Sequence, residues 1–159
     1  MYNTALVVLS DRAASGERED ACLPVMRERL GPTYAIVREL VLPDDPGALQ
    51  AELIQLCDSG SASLILTSGG TGMGPRDRTP QATAAILDYE VPGIAEAIRS
   101  ESIKFTKTAM LSRALAGVRN RTLIVNLPGS PTAVAQSLEI ILPVLPHAID
   151  VLNGLPAHG

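Results

Sequence analysis

Between Ser68 and Pro80 the chain reads Ser-Gly-Gly-Thr-Gly-Met-Gly-Pro-Arg-Asp-Arg-Thr-Pro, with Gly69, Gly70, Gly72 and Gly74 set just before Asp77 and its flanking arginines. Glycine accepts positive φ and carries no side chain, so successive N–H groups of such a loop can converge on one anion. The chemistry this suits is the holding of a phosphorylated ligand. Asp77 would repel a phosphate unless a divalent cation stood between the two and reversed the local field. A second carboxylate, Asp44, stands in Pro43-Asp44-Asp45-Pro46. Asp45 reads as the N-cap of a helix that opens at Pro46, which leaves Asp44 with no local task. Each feature has a plainer reading: a turn joining strand to helix for the glycine segment, and a solvated loop carboxylate for Asp44.

These side chains share a site only if the elements that carry them end in one place. Thr4 to Leu9 is a continuous apolar run, the pattern of a strand covered on both faces, and Ser10-Asp11-Arg12 ends it in a polar turn. A helix is expected from Asp20 to Leu30, stopped by Gly31-Pro32, and then an outer strand from Tyr34 to Leu42. Leu49, Leu53 and Leu56 form the buried stripe of the helix after Asp45. Ala62 to Thr67 is a buried strand that delivers the glycine loop, and Thr79 reads as the N-cap of a helix from Pro80 to Leu87. Pro92-Gly93 breaks the chain before a helix toward Ile103. Lys104 to Val118 is ambiguous, because short apolar runs fit helix and strand alike. Thr122 to Asn126 is a further buried strand, and Ser130 caps a helix from Pro131 that Pro143 and Pro146 should kink or divide, with Gly154 as its stop. This alternation predicts a three-layer α/β domain over 1–155, with a mainly parallel central sheet and helices on both faces, and a loose tail at 156–159. Ligands of such sheets bind at the carboxyl ends of the strands. Ser10 to Arg12, Pro43 to Asp45, Ser68 to Asp77 and Asn126 to Ser130 all follow predicted strands, so parallel strands put all of them on one rim. On that rim Asp44 and Asp77 become a pair able to share a cation.

Composition narrows the partners. The 159 residues are 46% hydrophobic and 19% charged, and no apolar run approaches the ~20 residues of a membrane-spanning helix. Met1 leads directly into the strand-like Thr4 to Leu9, with no basic region before it and no small-residue cleavage site after it, so export is not expected. Cys22 and Cys57 lie among apolar helical positions and read as buried free thiols, which fits a reducing cytoplasm. A net charge of −4 with three tyrosines and one phenylalanine gives neither the basic patch nor the stacking surface that nucleic acid requires. An anionic ligand must therefore be held locally, in a pocket, by arginines, backbone donors or a metal.

The motifs, taken in order, resemble the MogA-type molybdopterin adenylyltransferases, within the wider molybdenum-cofactor biosynthesis domain family that includes the MoaB proteins and a gephyrin domain. The resemblance rests on Ser10-Asp11-Arg12 with Ser15-Gly16 and Asp20, Pro43-Asp44, Gly69-Gly70-Thr71-Gly72, Pro75-Arg76-Asp77 with Thr79-Pro80, Pro92-Gly93, Leu111-Ser112-Arg113, and Asn126 with Pro128-Gly129. It spans nearly the whole chain. It implies adenylylation of the terminal phosphate of molybdopterin by ATP with Mg²⁺ and release of pyrophosphate. It also implies a homotrimer and a partner protein for molybdenum insertion. By the same resemblance Asp44 and Asp77 are catalytic and hold Mg²⁺. Gly69, Gly70, Thr71, Gly72, Arg76, Asn126, Pro128 and Gly129 serve the nucleotide and its phosphates, and Ser102 and Ser112 serve the pterin. Ala14 departs from a frequent serine, and Met73-Gly74 fills a variable part of the loop. MoaB-type relatives often lack the Arg-Asp-x-Thr-Pro form of Arg76 to Pro80, so its presence favours the MogA-type activity.

Other readings of the same residues stand beside these. Ser102 and Ser112 also suit hydroxyls bonded to nearby backbone, Arg12 and Arg113 suit surface ion pairs, and His147 suits a structural place in the last helix. A non-catalytic pterin-binding or scaffold protein of MoaB type would carry the same fold, and a different nucleotide-processing enzyme would share the domain.

Overall fold

A computed structural model describes residues 1–156, so the expected tail lies, from Ala157 onward and including His158, outside the described residues. The chain runs through β1 (Tyr2–Leu9), a one-turn helix α1 (Asp11–Ala14), α2 (Cys22–Leu30), β2 (Tyr34–Leu42), α3 (Pro46–Asp58), β3 (Leu64–Ser68) and α4 (Thr79–Ala84). There follow β4 (Tyr89–Glu90), α5 (Pro92–Ser102), a 3₁₀ turn (Lys107–Leu111), β5 (Ala116–Arg119), β6 (Thr122–Leu127), α6 (Pro131–Ile141) and α7 (Leu145–Leu152). One sheet takes the order β2-β1-β3-β6-β5-β4. β2, β1, β3 and β6 run parallel, and β5 and β4 extend the sheet antiparallel.

The period of two along a strand builds the two cores. Leu6 and Val8 face Met26, Leu30, Val134 and Leu138 on one side, while Ala5, Val7 and Leu9 face Leu49, Leu53 and Ile86 on the other. Helices α2, α5, α6 and α7 therefore cover one face, and α3 and α4 the other. Leu53 is fully buried, so Leu53→Ala would cost about 2–5 kcal/mol.

Most caps form where sequence predicts them. Asp45 Oδ1 accepts from Gly47 N at 3.0 Å, and Ser130 Oγ accepts from Ala133 N at 3.2 Å. Asp20 accepts from the amides of Cys22 and Leu23 at 3.0 and 2.8 Å, so it closes the start of α2 from just outside the helix. The chain bends by 65° between α6 and α7, at the predicted proline break, and no single helix among the described residues is long and apolar enough to cross a membrane.

Three expectations are corrected and one open stretch is resolved. Ser10-Asp11-Arg12 is the start of α1 rather than an open turn, with Ser10 Oγ accepting from Ala13 N. α4 begins at Thr79 with Arg78 in the cap position, and the Thr79 hydroxyl does not close the helix. Pro92 opens α5 in its first turn instead of breaking the chain, as a residue with preset φ and no N–H can. The ambiguous stretch resolves into the 3₁₀ turn and β5, a strand too short for its period to be read.

The connections leave β1 toward β2 on one side and continue from β3 toward β6 on the other. The reversal falls between β1 and β3, and sheets of this kind bind ligands at the carboxyl ends of the strands beside such a reversal.

Candidate active site

All four segments expected on one rim lie at the carboxyl ends of the parallel strands β1, β2, β3 and β6. Gly69, with φ of +101°, follows β3, and a Cβ there would be driven into the carbonyl oxygen of Leu9 at the end of β1. The Gly69 N–H donates to Leu127 O at 3.1 Å, and the Ser68 hydroxyl donates to Pro128 O at 2.7 Å, which fixes the loop against the end of β6. Gly70 lies beside Asp44, where an added Cβ would stand 3.4 Å from Asp44 Oδ1, and it would also collide with the Thr79 hydroxyl. A Cβ on Gly72 would lie 2.9 Å from Asp77 Oδ2. At Gly70 the φ of +69° and the crowding by Thr79 and Asp44 favour glycine, whereas at Gly72 an added Cβ would meet only the end of the Asp77 side chain. The amides of Gly70, Thr71 and Gly72 have no acceptor among the described residues and remain available to an anion.

The carboxylates are held by backbone and by one arginine. Asp44 N–H donates to Asp11 Oδ1 at 2.9 Å, and Asp11 N–H donates to Asp44 Oδ2 at 3.2 Å, a reciprocal lock between the ends of β2 and β1. Arg76 donates from Nε and Nη2 to the two carboxylate oxygens of Asp11, at 3.0 and 2.9 Å. Its guanidinium holds the Asp11 carboxyl below the usual range. Asp44 goes the other way. Burial pushes its carboxyl above the usual range, and the charges of Asp11 and Asp77 add to that, against the Asp11 N–H and Arg76. Asp77 Oδ2 accepts from Gly74 N at 2.9 Å and closes the loop on itself.

Thus Asp44 and Asp77 do come to one rim, and Asp11 joins them. Sequence reading put Ser10-Asp11-Arg12 on this rim and among the family motifs but gave Asp11 no role; its position at the end of β1, matching Asp44 at the end of β2, was the available signal. Among the described residues no three His, Cys, Asp or Glu side chains cluster as a ready metal cage. Asp44 and Asp77 offer hard oxygen donors of the kind that Mg²⁺ takes together with water and phosphate oxygens.

On the other side of the glycine loop lies a cavity of about 340 Å³, near the lower end of small-molecule pockets. Ala95, Ile98 and Leu111 give it apolar walls, and Thr71, Gly72, Ser102, Ser112, Pro128 and Gly129 bring polar groups to it. Ser112 Oγ accepts from Ala114 N at 3.2 Å and keeps its own proton to donate. Asn126 is placed differently. It is 1% exposed, its Oδ1 accepts from Leu115 N, and its Nδ2 donates to the hydroxyls of Thr67 and Thr83. All its polar atoms are spent beneath the loop. Arg113 is not a surface ion-pair residue: its guanidinium donates to the carbonyls of Gly72 and Asp77. Arg12 and Arg78 are exposed, and His147 lies on the exposed side of α7, away from the rim.

The profile of a domain family described as "Probable molybdopterin binding domain" matches residues 5–147. The chain belongs to that family. Its relatives include the molybdopterin adenylyltransferase of Escherichia coli K12, 42% identical over 137 residues, which are 84% of this chain and 70% of that one. The enzyme of the same name from Helicobacter pylori strain 26695 is 39% identical over 149 residues, covering 91% of this chain and 84% of its own. Among solved structures, the molybdopterin biosynthesis enzyme MoaB of Thermus thermophilus superposes with a TM-score of 0.92 at 46% identity, over 99% of each chain. The α/β architecture is thus shared with these relatives.

Proposed function

We propose that this molybdopterin-binding domain transfers the adenylyl group of ATP to the terminal phosphate of molybdopterin, releasing pyrophosphate, in molybdenum-cofactor biosynthesis. The observation that carries the reading is the meeting of Asp44, Asp77 and the glycine loop beside a small-molecule cavity, in a chain whose relatives are named for that activity. A phosphate oxygen of molybdopterin forms a bond to the α-phosphorus of ATP. The bond from that phosphorus to the bridging oxygen breaks, and its electrons leave with pyrophosphate. Both reactants are anions, so alignment and charge neutralisation are the tasks of the protein.

The free amides of Gly70, Thr71 and Gly72 donate to phosphate oxygens, while Gly69, whose amide is bound to Leu127 O, serves the ligand only by letting the backbone approach, and Arg76 and Arg78 offset charge at the crevice beside Asp44. Mg²⁺ held by Asp44 and Asp77 would neutralise charge on the triphosphate as it develops. Burial, and after it the charges of Asp11 and Asp77, disfavours the ionised Asp44 carboxylate, and a bound cation would favour it. Ser102 and Ser112 donate to the pterin, Pro128 and Gly129 border both ligands, and Asn126 acts through the strands it ties together. No protein nucleophile is needed.

The assay is pyrophosphate release from ATP with purified molybdopterin and Mg²⁺. Release that requires all three components supports the transferase. The likeness to a MoaB protein favours one other reading, a pterin-binding protein without transfer, and tight molybdopterin binding with no pyrophosphate would select it. The proposed working unit is a cytoplasmic homotrimer that hands its product to a molybdenum-inserting protein. Exposed Phe105, Met110 and Leu111 give association an apolar surface, and a light-scattering mass equal to one chain rejects the trimer.

A further inference from the structure

Arg113 sits between the two halves of the site. Its N–H donates to Thr71 O at 2.8 Å, its Nε to Gly72 O at 2.7 Å and its Nη2 to Asp77 O at 2.6 Å. Its neighbours are held from the other side, where Arg99 Nη1 donates to Ser112 O at 3.3 Å and Ala114 O at 2.6 Å. Thr71, Gly72, Arg99 and Ser112 all face the cavity, whereas Gly74 and Asp77 lie beyond it. No carboxylate among the described residues forms an ion pair with Arg113. Its planar fork spans two loop carbonyls and sets the distance between them, which a lysine with one ammonium cannot do. A loop this rich in glycine has many conformations to lose, so a ligand that orders it bears a cost that a second ligand is then spared.

We propose that Arg113 is a positioning residue through which a molecule seated against Ser112 fixes the Asp77 loop, so that filling the cavity tightens nucleotide binding across the loop. This rests on the adenylyltransferase reading, in which molybdopterin fills the cavity and ATP with Mg²⁺ meets Asp77. The coupling is reciprocal, as linkage requires.

The test titrates α,β-methylene-ATP with Mg²⁺ into the protein, without and with saturating molybdopterin. In the natural chain molybdopterin tightens the nucleotide about tenfold, within the usual range of coupling between sites. In Arg113→Lys, with its fold verified by thermal melting, that ratio collapses toward unity. A ratio preserved in Arg113→Lys, even with both affinities lowered in parallel, overturns the proposal, because a merely structural role predicts that outcome. If Arg113→Lys does not fold, hydrogen exchange in the natural chain decides. The Gly74 and Asp77 amides must exchange more slowly when molybdopterin is added without nucleotide, and unchanged rates overturn the proposal. The same preparations are assayed for pyrophosphate release from ATP. Release with an unaltered ratio rejects the role of Arg113 alone, and no release rejects the adenylyltransferase reading with it.

Discussion

Gly69→Ala tests how the loop is held, because its cost can be set against a matched control. Gly69 has φ of +101°, and an added Cβ would be driven into the backbone carbonyl of Leu9. That carbonyl cannot easily retreat, since Leu9 is in register with Leu42 along the β1–β2 pairing. Gly16 has φ of +81° but nothing within 4 Å of its added Cβ. At Gly16 an alanine meets only left-handed strain, about 1–2 kcal/mol. At Gly69 the same strain is joined by an overpacking cost of about 1–3 kcal/mol, for a total of about 2–5 kcal/mol. For a chain of this size each kcal/mol lowers Tm by about 2–4 °C, so Gly16→Ala should lose about 2–8 °C and Gly69→Ala about 4–20 °C. Thermal melts followed by circular dichroism compare the two directly. A Gly69→Ala variant that melts no lower than Gly16→Ala refutes the claim that close approach to Leu9 fixes the loop.

Asp44→Asn keeps an acceptor for the Asp11 N–H and removes a charge. The Asp44 carboxyl is raised above its unfolded value, so its ionised form opposes folding, and this cost grows as pH rises through the raised range. Melts across pH should show the variant at least as stable as the natural chain at neutral pH, with the difference fading in acid, while turnover is lost; a less stable variant at neutral pH contradicts this. Asn126→Leu leaves the Leu115 N–H and two threonine hydroxyls without their partner, and urea unfolding should read a loss of about 1–3 kcal/mol or more. Burial pushes the Cys57 thiol up to about 11 and raises Cys22 as well, so both should resist alkylation at pH 8 in the folded chain and react in urea. Rapid labelling of either in the folded state would contradict their burial.

The parallel sheet was legible because its strands are apolar runs ended by polar or glycine signals, as Thr4 to Leu9 shows, and because Arg38 and Glu39 mark Tyr34 to Leu42 as the outer one. β4 and β5 were not. They are two and four residues long, and Gly117 in β5 has no side chain to mark a face. The meeting of Asp44 with Asp77 followed from topology, since residues that end parallel strands share a rim. What the sequence could not carry was the direction of side chains. Nothing local tells that Asn126 turns inward to Thr67 and Thr83, or that Arg113 reaches back across 36 residues to the Asp77 carbonyl. Asp11 was hidden for a similar reason. Its value lies in a reciprocal bond with Asp44 and a bidentate bond with Arg76, both between segments distant in sequence.

The central claim is that Asp44 and Asp77 act together on a magnesium-bound triphosphate. Transfer of labelled α-phosphate from ATP to molybdopterin, measured across Mg²⁺ concentrations in the natural chain and in Asp77→Asn, tests it most directly. The asparagine can still accept from the Gly74 N–H, so the loop should keep its shape and the melting temperature should hold. The account predicts transfer that depends on Mg²⁺ in the natural chain and falls by a factor on the order of 10² or more in the variant. Transfer at the natural rate by Asp77→Asn, or by the natural chain stripped of divalent cations, would contradict it.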